Sequence, residues 1–205
     1  MDKMLILCNG EPPSEKLFYK YRAKTDYFIA ADGGGNIARQ FSDTPDVVIG
    51  DLDSFEDRDT DNFRIIHRPG QESNDLEKAL SLAQQKGGSH IYILGATGLR
   101  LDHTLKNLSV LKQFNRQFED LFLIDNFGKS QILPHSFSKE LPIGTLVSLF
   151  PLSGKVTNIT TEGLKYSLKD ETLENGVRDG SSNTVVGTPI TITHKKGDLL
   201  FFEAF

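Results

Sequence analysis

The sequence predicts two domains. Residues 1–126 are expected to form an α/β domain with a mainly parallel, Rossmann-like sheet, and residues 127–205 an antiparallel all-β sandwich or barrel. In the first part, short apolar runs alternate with amphipathic stretches, which is typical of parallel strands joined by helices. In the second part we find no helical period, and short runs rich in Thr and Val are separated by turn residues.

The first part contains apolar runs that we predict as strands. They lie at residues 4–8, 27–31, 47–50, 64–67, 91–94 and 121–125. Amphipathic spacing predicts helices at residues 36–41, 75–86 and 102–114. Asn74 and Glu77 form a capping-box pattern at the start of the second helix. In the third helix, the residues spaced as a core stripe are Leu101, Leu105, Leu108 and Leu111.

The second part contains only strand-like runs. We predict strands at residues 131–133, 146–150, 156–160, 185–193 and 199–202. Turn pairs such as Ser153-Gly154 and Lys196-Gly197 separate some of them. No repeat and no low-complexity linker is found in the sequence, so we expect two closely packed domains.

Composition excludes several classes of protein. The 205 residues include 23 basic and 28 acidic ones, for a net charge of -5, which argues against a general nucleic-acid binder that neutralises phosphates. No apolar stretch approaches the roughly 18 residues of a membrane span, and the first apolar run is too short for a signal peptide. Cys8 is the single cysteine, so no internal disulfide can form. We expect a cytoplasmic protein without nucleic-acid or membrane partners.

Several aspartates fall at the carboxyl ends of predicted strands, which is where open parallel sheets bind ligands. Asp32 follows the second strand, and Asp51 and Asp53 follow the third. Side chains two residues apart in an extended segment point to the same side, and Mg²⁺ commonly joins such carboxylates to substrate phosphates. The alternative is a solvated Asx turn, which a bare Asp-x-Asp favours. The position after a strand and the additional acids favour the metal.

Two predicted helices begin with further candidate residues. Asp75 and Lys78 share a helix face, although helix capping alone explains an acid at that position. Asp102 is either the N-cap of its helix or a metal ligand. Arg100 suits a triphosphate because its guanidinium makes charge-assisted hydrogen bonds. His103 is either a hydrogen-bonding scaffold or a general base.

Three short motifs point to other functions. Gly128-Lys129-Ser130 resembles the end of a Walker A loop, but Leu123 stands where the first glycine is required. A G-x-G-x-x-A pattern begins at Gly33 and is a weak signal for an oxidoreductase that binds a nicotinamide cofactor. The run from Asp51 to Ser54 resembles the nucleophile motif of haloacid-dehalogenase-type phosphatases. A Mg²⁺-dependent phosphatase with Asp51 as nucleophile is therefore one alternative.

Taken together, six segments resemble the thiamine pyrophosphokinase family. Each segment is weak alone, but their order and spacing across nearly the whole chain are specific. The segments are Ala31-Asp32-Gly33-Gly34, Gly50-Asp51-Leu52-Asp53-Ser54, Asn74-Asp75 with Lys78-Ala79-Leu80, residues 95–103 with Asn107, residues 161–168, and Ser181-Ser182-Asn183. Two positions depart from the family pattern, because Asn74 stands where Thr is frequent and Tyr166 stands where some members have Trp.

The resemblance implies an enzyme that transfers pyrophosphate from ATP to the hydroxyl of thiamine, giving thiamine diphosphate and AMP. It implies Mg²⁺ as cofactor, an ATP-binding catalytic domain at 1–126, a thiamine-binding domain at 127–205, and a homodimer with the site at the subunit interface. The implied catalytic residues and metal ligands are Asp51, Asp53, Asp75 and Asp102. The residues implied to bind ATP are Asp32, Gly33, Lys78, Thr97, Arg100 and His103. Those implied to bind thiamine are Tyr166, Ser182 and Asn183.

Two questions stay open at the level of the sequence. The carboxylate that takes the proton of the thiamine hydroxyl is either Asp75 or Asp102. The protein can also be a module that binds nucleotide or thiamine without turnover, which is the non-enzymatic alternative.

Overall fold

The computed structural model describes residues 2–56 and 64–205. The chain forms two compact units, of which the first ends at Asn126 and the second spans Phe127–Phe205. Among the helices of the described residues, none combines the length and the apolar character that crossing a membrane requires.

The first unit consists, in its described part, of parallel strands and the helices that join them. The strands are β1 (Lys3–Leu7), β2 (Tyr27–Ala31), β3 (Val47–Gly50), β4 (Ile65–His67), β5 (His90–Leu94) and β6 (Asp120–Ile124). The helices are α1 (Glu15–Arg22), α2 (Gly34–Gln40), α3 (Asp75–Gln85) and α4 (Leu101–Phe114). The strand order is β6-β5-β1-β2-β3-β4, and all of these pairs are parallel.

This order contains a topological switch point. The chain adds β2, β3 and β4 on one side of β1 and then places β5 on the other side. The loops that follow β1 and β5 therefore diverge at the carboxyl edge of the sheet. Open α/β sheets bind their ligands in the crevice formed at such a point.

Apolar side chains cover both faces of the central strands. Every residue of β2 is buried, and β1 is buried apart from Lys3. Helix α1 contributes Phe18 and Tyr21 to a core cluster that includes Leu5, and the Phe18 ring stacks on Phe41 with 4.4 Å between ring centroids. Burial on both faces explains why these strands appear in the sequence as continuous apolar runs.

The second unit is built from two antiparallel sheets. Its strands are β7 (Gly128–Ile132), β8 (Ser136–Lys139), β9 (Leu146–Pro151), β10 (Lys155–Glu162), β11 (Glu171–Glu174), β12 (Gly180–Thr184), β13 (Ile190–Thr193) and β14 (Leu199–Ala204). Within this unit one sheet has the order β12-β9-β14-β7 and the other has the order β11-β10-β13-β8. Every one of these pairs is antiparallel.

The two sheets of the second unit share one apolar core. Strand β9 alternates buried positions with more exposed ones, as expected for a strand with one covered face. The strand residues of this core are Val147, Leu149, Val156, Ile159, Leu173, Ile190, Ile192, Leu199 and Phe201. The predicted fold class, a parallel α/β domain followed by an antiparallel β-sandwich, is confirmed.

Several elements differ from the sequence-based prediction. Helix α1 and strands β8, β11 and β12 were not predicted, and the strands among them are only four or five residues long. The predicted strand at residues 185–193 is wrong in its first half, where Val185 makes only an isolated bridge to Leu164. Gly187 and Pro189 explain the interruption, because glycine weakens a strand and proline has no N–H to donate to a sheet.

Helix α4 also differs from its prediction. It begins at Leu101, and its N-cap is Arg100, which makes no capping hydrogen bond through its side chain. Asp102 is therefore in the first turn and is not the N-cap. The predicted leucine stripe is wrong, since Leu101 and Leu105 are exposed. The buried residues of this helix are Asn107, Val110, Leu111 and Phe114.

Candidate active site

A cavity of about 720 Å³ lies beyond the carboxyl ends of the parallel strands of the first unit. Asn9 after β1, Asp32 after β2, Asp51 and Asp53 after β3, and Gly95 after β5 all line it. The first residues of α3 form a further part of the wall. The cavity therefore lies at the switch point given by the strand order.

Three carboxylates converge in this cavity. One carboxylate oxygen from each of Asp32, Asp51 and Asp75 lies within 4.8 Å of the other two. Asp32 is buried, whereas Asp51 and Asp75 are partly exposed. Asp53 lines the same cavity. The predicted acids at the ends of β2 and β3 and at the start of α3 are thus neighbours in space.

Two oxygens of this group suit a cation. Oδ1 of Asp32 and Oδ1 of Asp51 are closed off from solvent, and neither accepts a hydrogen bond from any residue within 2–56 or 64–205. A buried carboxylate oxygen without a partner is costly. Mg²⁺ takes hard oxygen ligands and binds through one or two carboxylates together with substrate phosphates. The side chains present therefore fit a divalent cation.

The electrostatic environment of Asp32 also suits a bound cation. Burial raises the pKa of Asp32 above its usual value, and the negative charges of Asp75 and Asp53 raise it further. Hydrogen bonds from the backbone of Gly33 and from Ser54 act in the opposite direction. The Ser54 amide donates to Oδ2 over 3.2 Å. A cation beside this carboxylate would favour its charged form.

The backbone brings the acidic loops unusually close together. Asp32 and Leu52 have positive φ angles of 47° and 65°, so the chain turns sharply after β2 and after β3. Gly50 permits the approach, because a Cβ at this position would lie 2.8 Å from the Cβ of Asp32 and 3.1 Å from Oδ1 of Asp75. A side chain at residue 50 would force the carboxylates apart.

Lys78 supplies positive charge to the acidic group. Its Nζ lies 2.9 Å from Oδ1 of Asp75 and 4.0 Å from Oδ2 of Asp51, and its side chain is buried. The predicted proximity of Asp75 and Lys78 on one helix face is therefore observed. Gln71 lines the cavity as well, and its Nε2 donates to Oδ2 of Asp51 over 3.0 Å. These contacts leave Oδ1 of Asp51 as the oxygen available to a cation.

The start of α4 carries the other charged candidates. Arg100 binds Asp102 through two hydrogen bonds, from Nε to Oδ1 over 3.1 Å and from Nη2 to Oδ2 over 2.5 Å. This contact lowers the pKa of Asp102. Arg100 and His103 line the cavity, whereas Asp102, Thr97 and Gly33 are not among the described residues that line it. A metal-ligand role for Asp102 stays a prediction.

Comparison with known proteins identifies the family. A family model described as thiamin pyrophosphokinase, catalytic domain, matches residues 18–123, which is more than half of the chain. A second model, described as thiamin pyrophosphokinase, vitamin B1 binding domain, matches residues 134–199. The chain belongs to the thiamin pyrophosphokinase family.

Individual members of the thiamin pyrophosphokinase family are similar over most of the chain. Thiamin pyrophosphokinase 1 of Caenorhabditis elegans is 29% identical over 217 residues, which cover 97% of this chain and 87% of the relative. Thiamine pyrophosphokinase 2 of Arabidopsis thaliana is 30% identical over 175 residues, which cover 77% of this chain and 64% of the relative. The crystal structure of thiamine pyrophosphokinase from Bacillus subtilis is similar in fold, with a TM-score of 0.84, 24% identity and 99% coverage of both chains.

The predicted thiamine-binding residues lie in the region that matches the vitamin B1 binding model of the thiamin pyrophosphokinase family. Asn183 is buried, and its Oδ1 accepts from the Tyr166 amide over 3.0 Å while its Nδ2 donates to the Tyr166 carbonyl over 2.8 Å. Tyr166 itself is exposed. Ser182 has a φ of 58°, and its amide donates to Oγ of Ser148 over 3.0 Å. Asn183 therefore fixes the backbone that presents the Tyr166 ring.

Sequence reasoning missed some residues of the cavity in this thiamin pyrophosphokinase family member. Asn9 and Gln71 were not predicted as site residues, and Asp32 was predicted to bind ATP rather than to join the carboxylate group. The Asn9-Gly10 pair was a usable signal, since it directly follows the buried apolar run at residues 4–8. Gln71 gave no signal, because nothing in the sequence shows that the loop before α3 folds back onto Asp51.

Proposed function

We propose that this protein is an active, Mg²⁺-dependent thiamine pyrophosphokinase that transfers the pyrophosphoryl group of ATP to the hydroxyl of thiamine and releases AMP. One observation carries the proposal. In a chain of this family, Asp32, Asp51 and Asp75 converge at the switch point of a parallel sheet, and two of their buried oxygens lack partners in the described residues. Family membership favours this activity over the phosphatase, oxidoreductase and non-catalytic alternatives.

The carboxylates at the carboxyl edge of the sheet would hold the metal. Asp32, Asp51 and Asp75 are the closest set, and Asp53 lines the same cavity. Asp102 would join them only by exchanging its contact with Arg100 for the ion. Bound Mg²⁺ supplies neutralisation of charge on the phosphate oxygens and lowers the cost of the developing negative charge.

Pyrophosphoryl transfer depends mainly on positioning and charge neutralisation, because the reacting phosphorus needs an acceptor in line with its leaving group. Lys78 presents a buried ammonium beside Asp75 and Asp51, where it moderates the repulsion that the acids exert on a triphosphate. Arg100 has an exposed guanidinium at the cavity wall and suits the outer phosphates. His103 lines the same wall as a further hydrogen-bonding group. These three residues form the proposed ATP site. Gly33 and Thr97 are proposed as further parts of it, because residues next to them in the sequence line the cavity.

The proposed thiamine site lies on the second unit. The exposed ring of Tyr166 offers an aromatic face to the cationic thiazolium, and Asn183 holds its backbone in place. Ser182 is the remaining candidate. By its resemblance to the family, the protein is proposed to be a homodimer with the active site at the subunit interface, and to act in the cytoplasm.

A product assay tests the reaction. Purified protein incubated with ATP, Mg²⁺ and thiamine should produce AMP and thiamine diphosphate in equal amounts, both measurable by chromatography. Formation of ADP and thiamine monophosphate would contradict the transfer of a pyrophosphoryl group. Release of inorganic phosphate from simple esters without thiamine would instead support the phosphatase.

Asp51→Asn tests the metal site. Replacing this charged ligand should lower kcat by about 100-fold or more while the fold is retained, since even residues that only support metal ligands are worth about 10- to 100-fold. Asp53→Asn should also lose most activity. Asp43→Asn is the matched control, because Asp43 pairs with Arg22 at 3.0 Å and is not among the described residues that line the cavity. Full activity in Asp51→Asn would remove the metal-ligand assignment.

A further inference from the structure

Asn107 is a buried amide that connects two walls of the cavity. It lies on α4, where its neighbours in the buried face are apolar. Its Nδ2 donates to the carbonyl oxygen of Ala96 over 2.8 Å, in the loop that follows β5. Its Oδ1 accepts from Nδ2 of Asn74 over 2.9 Å, at the start of α3. Both polar atoms of the side chain are therefore used, one on each wall.

The hydrogen bonds run in one direction from α3 to the loop after β5. The amide of Glu77 donates to Oδ1 of Asn74 over 3.0 Å, which fixes the orientation of the Asn74 side chain. Nδ2 of Asn74 must then donate to Asn107, and Nδ2 of Asn107 must donate to Ala96. The Glu77 carboxylate closes the capping box on the Asn74 amide and pairs with Lys106 at 2.8 Å. Neither of these two side-chain amides, Asn74 or Asn107, can flip without losing its hydrogen-bond partners.

The helix end that this chain fixes carries a carboxylate of the acidic group. Asp75 directly follows Asn74, and it is the first residue of α3. We propose that Asn107 is a positioning residue for the reaction: it holds the first turn of α3, and with it the Asp75 carboxylate, at the distance from Asp32 and Asp51 that Mg²⁺ requires. This inference rests on the proposed function, because it concerns the metal of that site.

The chemistry of the ion makes such positioning consequential. Mg²⁺ demands nearly ideal octahedral geometry with short metal–oxygen distances, so it tolerates displaced ligands poorly. Asp75 also holds Lys78, and a shift of the helix end would move both charges together. Asn107 and Asn74 both line the cavity, but Asn107 makes no described hydrogen bond to the metal-binding carboxylates or to Lys78. We therefore expect its effect on the metal to pass through Asn74 and the helix end.

Asn107→Leu and Asn107→Ser test the inference. The leucine has a similar shape but cannot hydrogen-bond, and the smaller serine leaves room for water if the leucine variant folds poorly. Mg²⁺ alone, titrated into the substrate-free protein in a calorimeter, should bind about 10-fold more weakly to either variant, the lower end of the effect of groups that support metal ligands. In the assay, kcat should fall at saturating Mg²⁺, whereas KM for thiamine should be unchanged.

Asn126 provides a matched control. Its side chain also joins two backbone groups, since Oδ1 accepts from the Ser14 amide over 2.7 Å and Nδ2 donates to the Pro12 carbonyl over 3.0 Å. It is not among the described residues that line the cavity. Asn126→Leu should lower thermal stability while leaving Mg²⁺ affinity and kcat unchanged. Equal losses of Mg²⁺ affinity in the Asn107 and Asn126 variants would show a merely structural role and overturn the inference.

A double substitution tests the route through Asn74. Asn74→Ala combined with Asn107→Leu should weaken Mg²⁺ binding no more than Asn74→Ala alone, because both changes interrupt the same series of hydrogen bonds. Additive losses would overturn the route. The two proposals fail separately: an inactive wild-type protein whose Asn107 variants bind Mg²⁺ weakly would refute the reaction alone. An active wild-type protein whose Asn107 variants retain full Mg²⁺ affinity would refute the positioning alone.

Discussion

Asp32 lies where several requirements of the site meet. Its carboxylate is buried beside two other acids, its Oδ1 has no partner in the described residues, and its backbone has a φ of 47°. Asn tolerates this left-handed conformation as well as Asp does. Asparagine can also accept the hydrogen bond that the Ser54 amide donates to Oδ2. The charge of residue 32 can therefore be removed with little change in shape.

Asp32→Asn should stabilise the metal-free protein and abolish its activity. The pKa of Asp32 is raised in the folded state, so its ionised form costs stability at neutral pH. The variant should gain about 1 kcal/mol in free energy of unfolding at pH 7 with a chelator present. This is a typical gain when a destabilising charge is removed from a functional site. The gain should shrink as the pH falls through the raised pKa and vanish below about 3.9, where the residue is protonated in both states.

Urea unfolding at several pH values measures this difference. Asp26→Asn is a control of opposite sign, because backbone hydrogen bonds from Lys3 and Asp2 lower the pKa of Asp26, so its charged form adds stability at pH 7. Added Mg²⁺ should stabilise the wild-type protein and not Asp32→Asn. A metal-free Asp32→Asn protein that is less stable than the wild type at pH 7 would contradict the prediction.

The sequence predicted most of the acids of the site and their convergence, but not the full membership of the closest group. Asp51 was expected as a metal ligand because it follows a strand, and Asp75 because of the family resemblance, and the structure brings the two together. The sequence did not predict the surroundings of Asp102 and Asp32. The structure pairs Asp102, which is not among the described residues that line the cavity, with Arg100, and it adds Asp32 to the carboxylate group. Such details depend on side-chain direction and loop closure, which spacing along the chain does not specify.

Elements with a single strong pattern were predicted best. The buried strands β1, β2 and β3 appear as apolar runs, and the capping box of α3 formed as expected from Asn74 and Glu77. The short strands β8 and β11 were missed, because each has four residues and at most one of them is buried. Leu101 and Leu105 show the reverse error, since their spacing on α4 predicts a core stripe and both are exposed.

The histidine that follows β13 should make the stability of the second unit sensitive to acid. His194 is buried, its ring lies edge-on to His135 with 4.8 Å between centroids, and neither ring nitrogen has a hydrogen-bond partner in the described part of the chain. Burial lowers the pKa of His194, and the charge of His135 lowers it further. The backbone at Leu133 and Pro134 lies near the ring without meeting the geometry of a hydrogen bond, and together with the negative charge of Asp198 it raises the pKa of His194 in part.

Stability should therefore fall as the pH drops below about 6.5, the ordinary pKa of histidine, because the unfolded chain binds a proton that the folded one refuses. Above that pH both states are neutral at this residue and the effect is absent. His194→Phe keeps a planar ring but has no titrating group. It should therefore reduce the slope with which the free energy of unfolding falls between pH 6.5 and pH 5, by up to about 1.4 kcal/mol per pH unit. Identical slopes for the variant and the wild type in urea unfolding would contradict this assignment.

At the scale of the whole molecule, the sequence predicted the order of a parallel and an antiparallel unit because their periodicities differ. It could not predict subunit arrangement, since a pattern of apolar residues reports burial and not the partner that provides it. The family resemblance supplies the proposal of a homodimer with the site at the subunit interface. Light scattering should accordingly give a mass twice that of one chain.

A mixed dimer tests where each active site takes its residues. Asp51→Asn removes a proposed metal ligand from the first unit, and Tyr166→Ala removes the proposed thiamine contact from the second. Each variant alone should have low activity. If every site combines the first unit of one subunit with the second unit of the other, a heterodimer of the two variants has one intact site and one doubly impaired site.

The purified heterodimer should therefore recover about half of the wild-type activity per dimer, as the two-fold symmetry of the assembly requires. Co-expression with two different affinity tags allows the heterodimer to be isolated, and the product assay measures its activity. If each site were built from one subunit, the heterodimer would be no more active than its parents, because one of its sites would lack Asp51 and the other Tyr166. That result would refute the interfacial site even if light scattering shows a dimer.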